Sequence, residues 1–164
     1  MSTILLAPQP LAVAHVLDEF SCGEASLDEW LKRRALANQL TGASRTFVVA
    51  DQDSRVHGYY AMAAGAVSHQ AATRAVRHSM PGPVPVMVLA RLAVDHRAQA
   101  LKLGAGLLQD AVHRTAGISQ NAGVRALLVH ALHERAKAFY ERYGFQPSSL
   151  HPLTLMLRLP VVKP

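Results

Sequence analysis

The C-terminal half of this chain switches repeatedly between two hydrophobic periodicities, and few architectures accept such a pattern. Val86 to Val94 is a long apolar run broken only by Arg91, and reads as a buried strand. Asp95 to Gly104 follows, then a helical pattern to about Ala116, then a second buried strand over Val124–His130. Glu134 to Arg142 reads as a short helix, Tyr143-Gly-Phe145 as its exit turn, and Leu153 to Arg158 as a last strand. The order strand–helix–strand–helix–strand requires an α/β or α+β domain.

The N-terminal half is compatible with that class. Ser26-Leu-Asp-Glu29 has the spacing of a capping box, and Leu27, Trp30, Leu31 and Ala35 form an apolar stripe through about Leu40. Arg45–Ala50 and Arg55–Ala64 read as hairpin partners around an Asp51-Gln-Asp-Ser turn. Residues 68–79 read as a short basic helix or an irregular segment. Met80-Pro-Gly-Pro-Val-Pro85 is expected to be extended and irregular, because proline cannot continue a helix. The 164 residues suit one domain, residues 1–164, with no repeat or linker. No apolar run approaches the ~20 residues of a membrane span, and the N-terminus lacks the pattern of a secretory signal. The sole cysteine, Cys22, excludes an internal disulfide framework. A soluble cytoplasmic protein is the expectation.

Lysine plus arginine number 17 against 11 acids, a formal charge of +6. That excess suits a polyanionic partner: RNA, DNA, an acidic protein or a phosphate-rich cofactor. Solvated arginines give the same arithmetic, so charge alone does not choose among them.

Chemistry first shows itself at residues 94–104. A helix start after a strand presents unpaired N–H groups and the positive end of the helix dipole, which together bind phosphate. Arg97 and Lys102 add cations there. An ordinary strand-to-helix turn with solvated charges is the alternative. Leu89-Ala-Arg-Leu-Ala-Val-Asp95, then Gln99-Ala-Leu-Lys-Leu-Gly104, then Leu107-Leu108 resembles motif A of the GNAT acetyltransferases, whose usual pattern is Gln/Arg-x-x-Gly-x-Gly/Ala. Lys102 stands at the first glycine, a departure, since glycine lets a backbone approach phosphate closely. The resemblance implies a GNAT fold: a mixed central sheet flanked by helices, with a splayed strand pair forming an acetyl-CoA cleft. It implies that Leu92, Ala93 and Val94 run along the pantetheine arm. Arg97, Gln99, Ala100, Leu101, Lys102, Leu103, Gly104 and Ala105 would then surround the phosphates.

Ala136-Lys-Ala-Phe-Tyr140-Glu-Arg-Tyr143-Gly-Phe145 is similar to GNAT motif B, usually Ala-x-x-Phe-Tyr-x-x-x-Gly-Phe, and every anchor matches. Acetyl transfer expels a thiolate, which leaves faster if an acid protonates it. A tyrosine, with a reference pKa of about 10, still holds its proton at neutral pH. The resemblance makes Tyr140 that catalytic acid and adds Phe139 to the cofactor-binding residues. Packing at a helix end is the other role open to Tyr140, and the one assigned here to Tyr143.

No Asp or Glu stands out as a general base. A lysine amine, with a pKa of about 10.4, needs such help, whereas an α-amine near 7.7–8 already has a neutral fraction. An aminoacyl-tRNA offers an α-amine on a polyanion. Phe20-Ser-Cys-Gly-Glu-Ala-Ser-Leu-Asp-Glu-Trp-Leu31 resembles the first helix of the GNAT toxins of toxin–antitoxin pairs. Pro83-Val-Pro-Val-Met-Val-Leu-Ala-Arg-Leu-Ala-Val-Asp95 is similar to their segment before motif A. This closer resemblance, from about Phe20 to Phe145, implies acetylation of aminoacyl-tRNA and arrest of translation. It also implies a ribbon–helix–helix antitoxin partner and a homodimer. Candidate tRNA contacts are Lys32, Arg33, Arg34, Arg74, Arg77 and Arg91, through phosphates. Arg91 is unusual, because a charge inside an apolar strand must be paired or functional.

Nine histidines invite a metal reading, but His130 and His133 lack a ligand-like frame and no metal is expected. Two other readings stay open. One is a GNAT enzyme acting on a small amine or protein N-terminus; the other is a noncatalytic acyl-CoA-binding or antitoxin-binding module.

Overall fold

The computed structural model describes residues 3–160. Its strands are β1 (Gln9–Pro10), β2 (Arg45–Ala50), β3 (Val56–Val67), β4 (Val84–Val94), β5 (Ala126–His130), β6 (Gln146–Pro147) and β7 (Thr154–Arg158). Its helices are α1 (Ala25–Trp30), α2 (Leu36–Thr41), α3 (Arg74–Arg77), α4 (Leu103–Ile118) and α5 (Glu134–Arg142). A π turn, Leu31–Ala35, joins α1 to α2, and a 3-10 segment, His96–Leu101, precedes α4. The strands form one sheet in the order β1-β2-β3-β4-β5-β7-β6, antiparallel except for the parallel β4–β5 pair among its described registers. The fold is a mixed α/β one, and the C-terminal alternation lies where the sequence places it. Residues 1–2 and 161–164, the ends of the expected single domain, lie outside the described residues.

Two compact units divide the chain: Met1–Ala63 with Ala90–Ala111, and Ala64–Leu89 with Val112–Pro164. In the first, β2 and β3 pair from Arg45↔Met62 to Ala50↔Val56, with a bulge between Val49 and Ala50. The connecting turn is held by Asp51, whose Oδ1 accepts the N–H groups of Asp53 and Arg55. Leu11, Phe20, Leu31, Ala35, Val48, Val56, Tyr59 and Ala93 form its core. Within it Tyr59 meets Phe20 edge-on at 5.5 Å and stacks on Trp30 at 6.1 Å. Gly58 lets α4 approach: a Cβ there would lie 2.9 Å from Leu107 Cδ1 and 3.0 Å from Leu103 Cδ2.

The helical stripe packs on the core from Leu27 to Leu36 but not as far as Leu40, which is exposed, and its start also differs from expectation. The helix begins at Ala25 with Glu24 at the cap and no side-chain cap bond, so the Ser26–Glu29 capping box does not form. Asp28 reaches back further than a box allows, and its Oδ1 accepts the Cys22 N–H at 2.9 Å. The helix ends where Gly42 takes the left-handed conformation, φ 84°.

In the second unit, β4 and β5 pair in parallel from Val86↔Ala126 to Leu89↔Val129, a register that ends five residues before β4 does. β7 adds antiparallel to β5 and carries β6. Val67, Ala72, Val76, Val84, Val86, Ala126, Leu128 and Met156 fill the core. The one-turn helix α3 cannot sustain itself. The Thr73 hydroxyl caps its start, and the Arg125 guanidinium donates to the carbonyls of Ala75, Val76 and His78 at its end. Val84 and Pro85, expected in an irregular segment, already belong to β4. No helix among the described residues is long and apolar enough to cross a membrane.

Candidate active site

Immediately after β4 the chain turns at Asp95, a carboxylate with no solvent exposure. Its Oδ1 accepts the backbone N–H and Nε of Arg97 at 2.9 and 2.8 Å, and its Oδ2 accepts the Ser21 N–H at 3.0 Å and Arg97 Nη2 at 3.1 Å. Burial alone would raise its pKa, but the hydrogen bonds from Arg97 and Ser21 and the Arg97 charge outweigh it, holding the group at about 2. Asp95 is therefore an anchor for the loop rather than a base.

The same loop is strapped to Glu19–Cys22. Arg97 Nη1 lies 3.4 Å from Glu19 Oε2, and the His96 N–H donates to the Ser21 carbonyl at 2.9 Å. The Gln99 amide donates to the carbonyls of Cys22 and Val94, both at 3.1 Å. Arg97 and Gln99, both read from the sequence as cofactor residues, thus spend their side chains on the protein. The Val94 carbonyl is likewise engaged. Sequence reasoning missed the role of Asp95, although its spacing two residues before Arg97 was visible.

The remaining loop residues fit a phosphate-bearing ligand. Ala100, Leu101 and Lys102 are exposed, and Leu103, Gly104 and Ala105 are part-exposed at the start of α4, whose first N–H groups have no intrahelical acceptors. Lys102 adopts φ 57°, ψ 29°, the left-handed conformation a glycine would take there. A Cβ on Gly106 would meet nothing within 4 Å, so α4 is open on that side, while Leu103 packs toward Gly58. Leu92 and Val94 are part-exposed, while Ala93 between them points into the core. Arg97, Ala98 and Leu101 also border a cleft of about 370 Å³ shared with Asp51, Arg55 and His57, where His57 Nε2 sits 2.8 Å from Asp51 Oδ2.

The candidate nucleic-acid residues separate into three groups. Lys32, Arg33 and Arg34 are exposed together on the π turn, between the buried Leu31 and Ala35. Arg91 lies over the Trp30 ring at 4.4 Å, so a cation–π contact answers the question its place in the strand raised. Arg74 is exposed on α3, whereas Arg77 is part-buried and donates to the Ala72 carbonyl at 3.3 Å.

In the second unit, α5 starts on His133, whose Nδ1 accepts the Ala136 N–H at 3.1 Å. It delivers Tyr140 into a ring cluster: Phe139 at 5.2 Å and Phe145 at 5.6 Å. Phe139 also meets Tyr143 at 5.2 Å. Tyr140 is 8% exposed, and burial pushes its phenol up to about 12. No hydrogen bond of its hydroxyl is found among the described residues. Cys22 is pushed up to about 12, chiefly by burial and then by Asp28, which makes it a poor nucleophile. No group of three or more potential metal-ligating side chains occurs among the described residues.

The mixed sheet and the strand-to-helix loop after β4 fit an acyltransferase class. The family model of the acetyltransferase (GNAT) domain matches residues 16–152, and the chain belongs to that family. It is 49% identical over 151 residues to the tRNA-acetylating toxin of Mycobacterium tuberculosis (strain ATCC 25618 / H37Rv), covering 92% of this chain and 90% of that protein. Among solved structures, AtaT complexed with acetyl-methionyl-tRNAfMet is 25% identical with a TM-score of 0.87, covering 94% of this chain and 95% of that one. A tyrosine-to-phenylalanine mutant of AtaT bound to the C-terminus of the antitoxin AtaR is also 25% identical, with a TM-score of 0.81 and coverage of 95% and 92%.

Proposed function

We propose that this chain is a toxin N-acetyltransferase that transfers acetyl from acetyl-CoA to the α-amino group of an aminoacyl-tRNA and so stops translation. The observation that carries the reading is 49% identity to a tRNA-acetylating toxin over nine-tenths of both chains. The charge of +6 and the three exposed cations of the π turn suit a tRNA backbone. The antitoxin and tRNA complexes of the AtaT neighbours support corresponding partners here. We assign the partner to the ribbon–helix–helix class, and the enzyme to the cytoplasm as a homodimer of one GNAT domain.

The residues have distinct tasks. Acetyl-CoA, when bound, supplies a thioester whose sulfur departs as the amide bond forms. Backbone N–H groups of residues 103–105 would hold its phosphates, and Leu92–Val94 its pantetheine arm; Phe139 is assigned as a further cofactor-binding residue. Asp95 and Arg97 fix the loop that presents those donors. Transfer requires the amine nitrogen to lose one proton and the sulfur to gain one. Tyr140 serves both needs: its Oη proton goes to the sulfur, and the resulting phenolate takes the surplus proton from the acylated nitrogen. A phenol at about 12 does not lose that proton to solvent at neutral pH beforehand. An α-amine, partly neutral already, needs no separate carboxylate base.

Induced expression in bacteria tests the reading. The wild-type protein arrests growth, and Tyr140→Phe at equal abundance relieves the arrest. Undiminished growth with abundant folded wild-type protein would overturn it.

A further inference from the structure

The cleft of about 370 Å³ in the first unit has chemistry that acetyl transfer does not use. Its volume is that of a small-metabolite site. Neither Leu92–Val94 nor residues 102–105, assigned above to acetyl-CoA, line it. At its centre is His57, a residue only 8% exposed, with Nε2 2.8 Å from Asp51 Oδ2. Burial alone would raise the Asp51 pKa, but hydrogen bonds from His57, Arg55 and Asp53 outweigh it and keep the carboxylate ionised. An ionised carboxylate only accepts, so Nε2 carries the proton and Nδ1 is the ring atom left over. Nδ1 has no partner among the described residues. The sealed, unpartnered side-chain oxygens and nitrogens among those residues are the Ser44 and Thr46 hydroxyls, so Nδ1 opens on the cleft instead.

Charge indicates what Nδ1 meets. Asp51 is fully engaged: Oδ1 accepts the N–H groups of Asp53 and Arg55, and Oδ2 takes the His57 ring. Arg97 is paired with Asp95 and Glu19. Arg55 is exposed, and its guanidinium has no ion pair among the described residues. The cleft thus holds a free guanidinium and a buried ring nitrogen that donates once protonated, with no uncommitted acid on its walls. That pair suits an anion, and a guanidinium fork matches a carboxylate best. Leu5, Ala98 and Leu101 supply an apolar side for the rest of the ligand.

We propose that this cleft binds a small carboxylate with an apolar tail, its oxygens meeting Arg55 and the protonated Nδ1 of His57. The site is separate from that of the acetyl donor and does not depend on the donor's identity. The His57 carbonyl accepts the Asp95 N–H at 2.8 Å, so an occupant is linked through one hydrogen bond to the anchor of the loop after β4.

Calorimetric titration of the full chain with sodium acetate, isovalerate and 4-phenylbutyrate tests it, with the His57 ring followed by heteronuclear NMR. Isovalerate or 4-phenylbutyrate should saturate with a Kd on the order of 1 mM or tighter, and acetate should bind at least about fivefold more weakly. Isovaleramide, which has the shape without the charge, should bind at least about tenfold more weakly than isovalerate. Protein saturated with acetyl-CoA should still take up the carboxylate. Nδ1 of His57 should be protonated in the complex, and affinity should fall as pH rises from 6 to 9; the charged groups facing the ring are Asp51, Arg55 and Arg97. Arg55→Met should melt as wild type does and bind about five- to tenfold more weakly, with Arg55→Lys recovering part of the loss. His57→Gln should bind weakly and without the pH dependence. Failure of all three carboxylates to saturate overturns the proposal. So does isovaleramide or inorganic phosphate binding as tightly as isovalerate, or a His57 ring whose signals do not move at saturation. Loss of carboxylate binding once acetyl-CoA is bound places the anion in the donor site and overturns the proposal equally.

Discussion

Replacing Asp95 by Asn should destabilise the protein by about 2–3 kcal/mol, an estimate that follows from the donors around it. The carboxylate accepts four hydrogen bonds, two on each oxygen, at 2.8 to 3.1 Å. An amide of the same shape offers one oxygen. Its NH2 must then face either the Ser21 N–H and Arg97 Nη2 or the Arg97 backbone N–H and Nε, so two acceptor bonds become donor–donor clashes. Hydrogen bonds to a charged group contribute about 1.5–3 kcal/mol each. The Arg97 side chain is 41% exposed and recovers water when released, so its share is discounted to about 1 kcal/mol. The backbone donor at a fully buried site has no such relief. For a chain of this size, 2–3 kcal/mol corresponds to a Tm loss of about 5–10 °C. Differential scanning calorimetry without ligand reads this directly, and amide exchange at Ser21 and Cys22 should quicken as the strap loosens. A Tm within 2 °C of wild type would refute the assignment of Asp95 as the anchor.

The same carboxylate sets acid stability. Its folded pKa of about 2 lies below the reference value near 3.9, so the stability it contributes is full above that value and is lost as pH falls through it toward 2. Asp51, lowered by His57 and backbone donors against the effect of burial, acts in the same direction. Urea midpoints between pH 6 and 3 should fall less steeply for Asp95→Asn than for wild type. Gly58→Ala should cost about 1–3 kcal/mol, since its Cβ would press on Leu107 and Leu103, whereas ligand-free Gly106→Ala should lose nothing; urea denaturation checks both. Replacing Lys32, Arg33 and Arg34 together by Ala should raise the KM for charged tRNA and flatten its salt dependence with little change in Tm. Unchanged KM and salt slope would move the tRNA contact away from the π turn.

Much of this was legible because local pattern and burial agree. The C-terminal strands are near-continuous apolar runs, and α5 carries its cap and its aromatic anchors within a dozen residues. What escaped was set by partners distant in sequence. Arg97 reads as a free cation until Ser21 and Glu19, more than seventy residues earlier, are seen against Asp95 and Arg97. Arg91 reads as an unpaired charge until Trp30 is placed under it. The two-residue strands β1 and β6 are too short for any periodicity. The π turn leaves no local mark either, because its apolar positions, Leu31 and Ala35, fit an α-helix as well. The left-handed backbone at Lys102 was foreshadowed only by its position in the motif.

The most direct measurement is incubation of the purified protein with aminoacylated tRNA and labelled acetyl-CoA, followed by mass analysis of the released aminoacyl group. Wild type should place one acetyl on the α-amine. Tyr140→Phe, melting as wild type does and still binding acetyl-CoA, should be slower by about 10²–10⁴. An unmodified α-amine with wild type, or full activity without the phenol, contradicts acetyl transfer to tRNA through Tyr140.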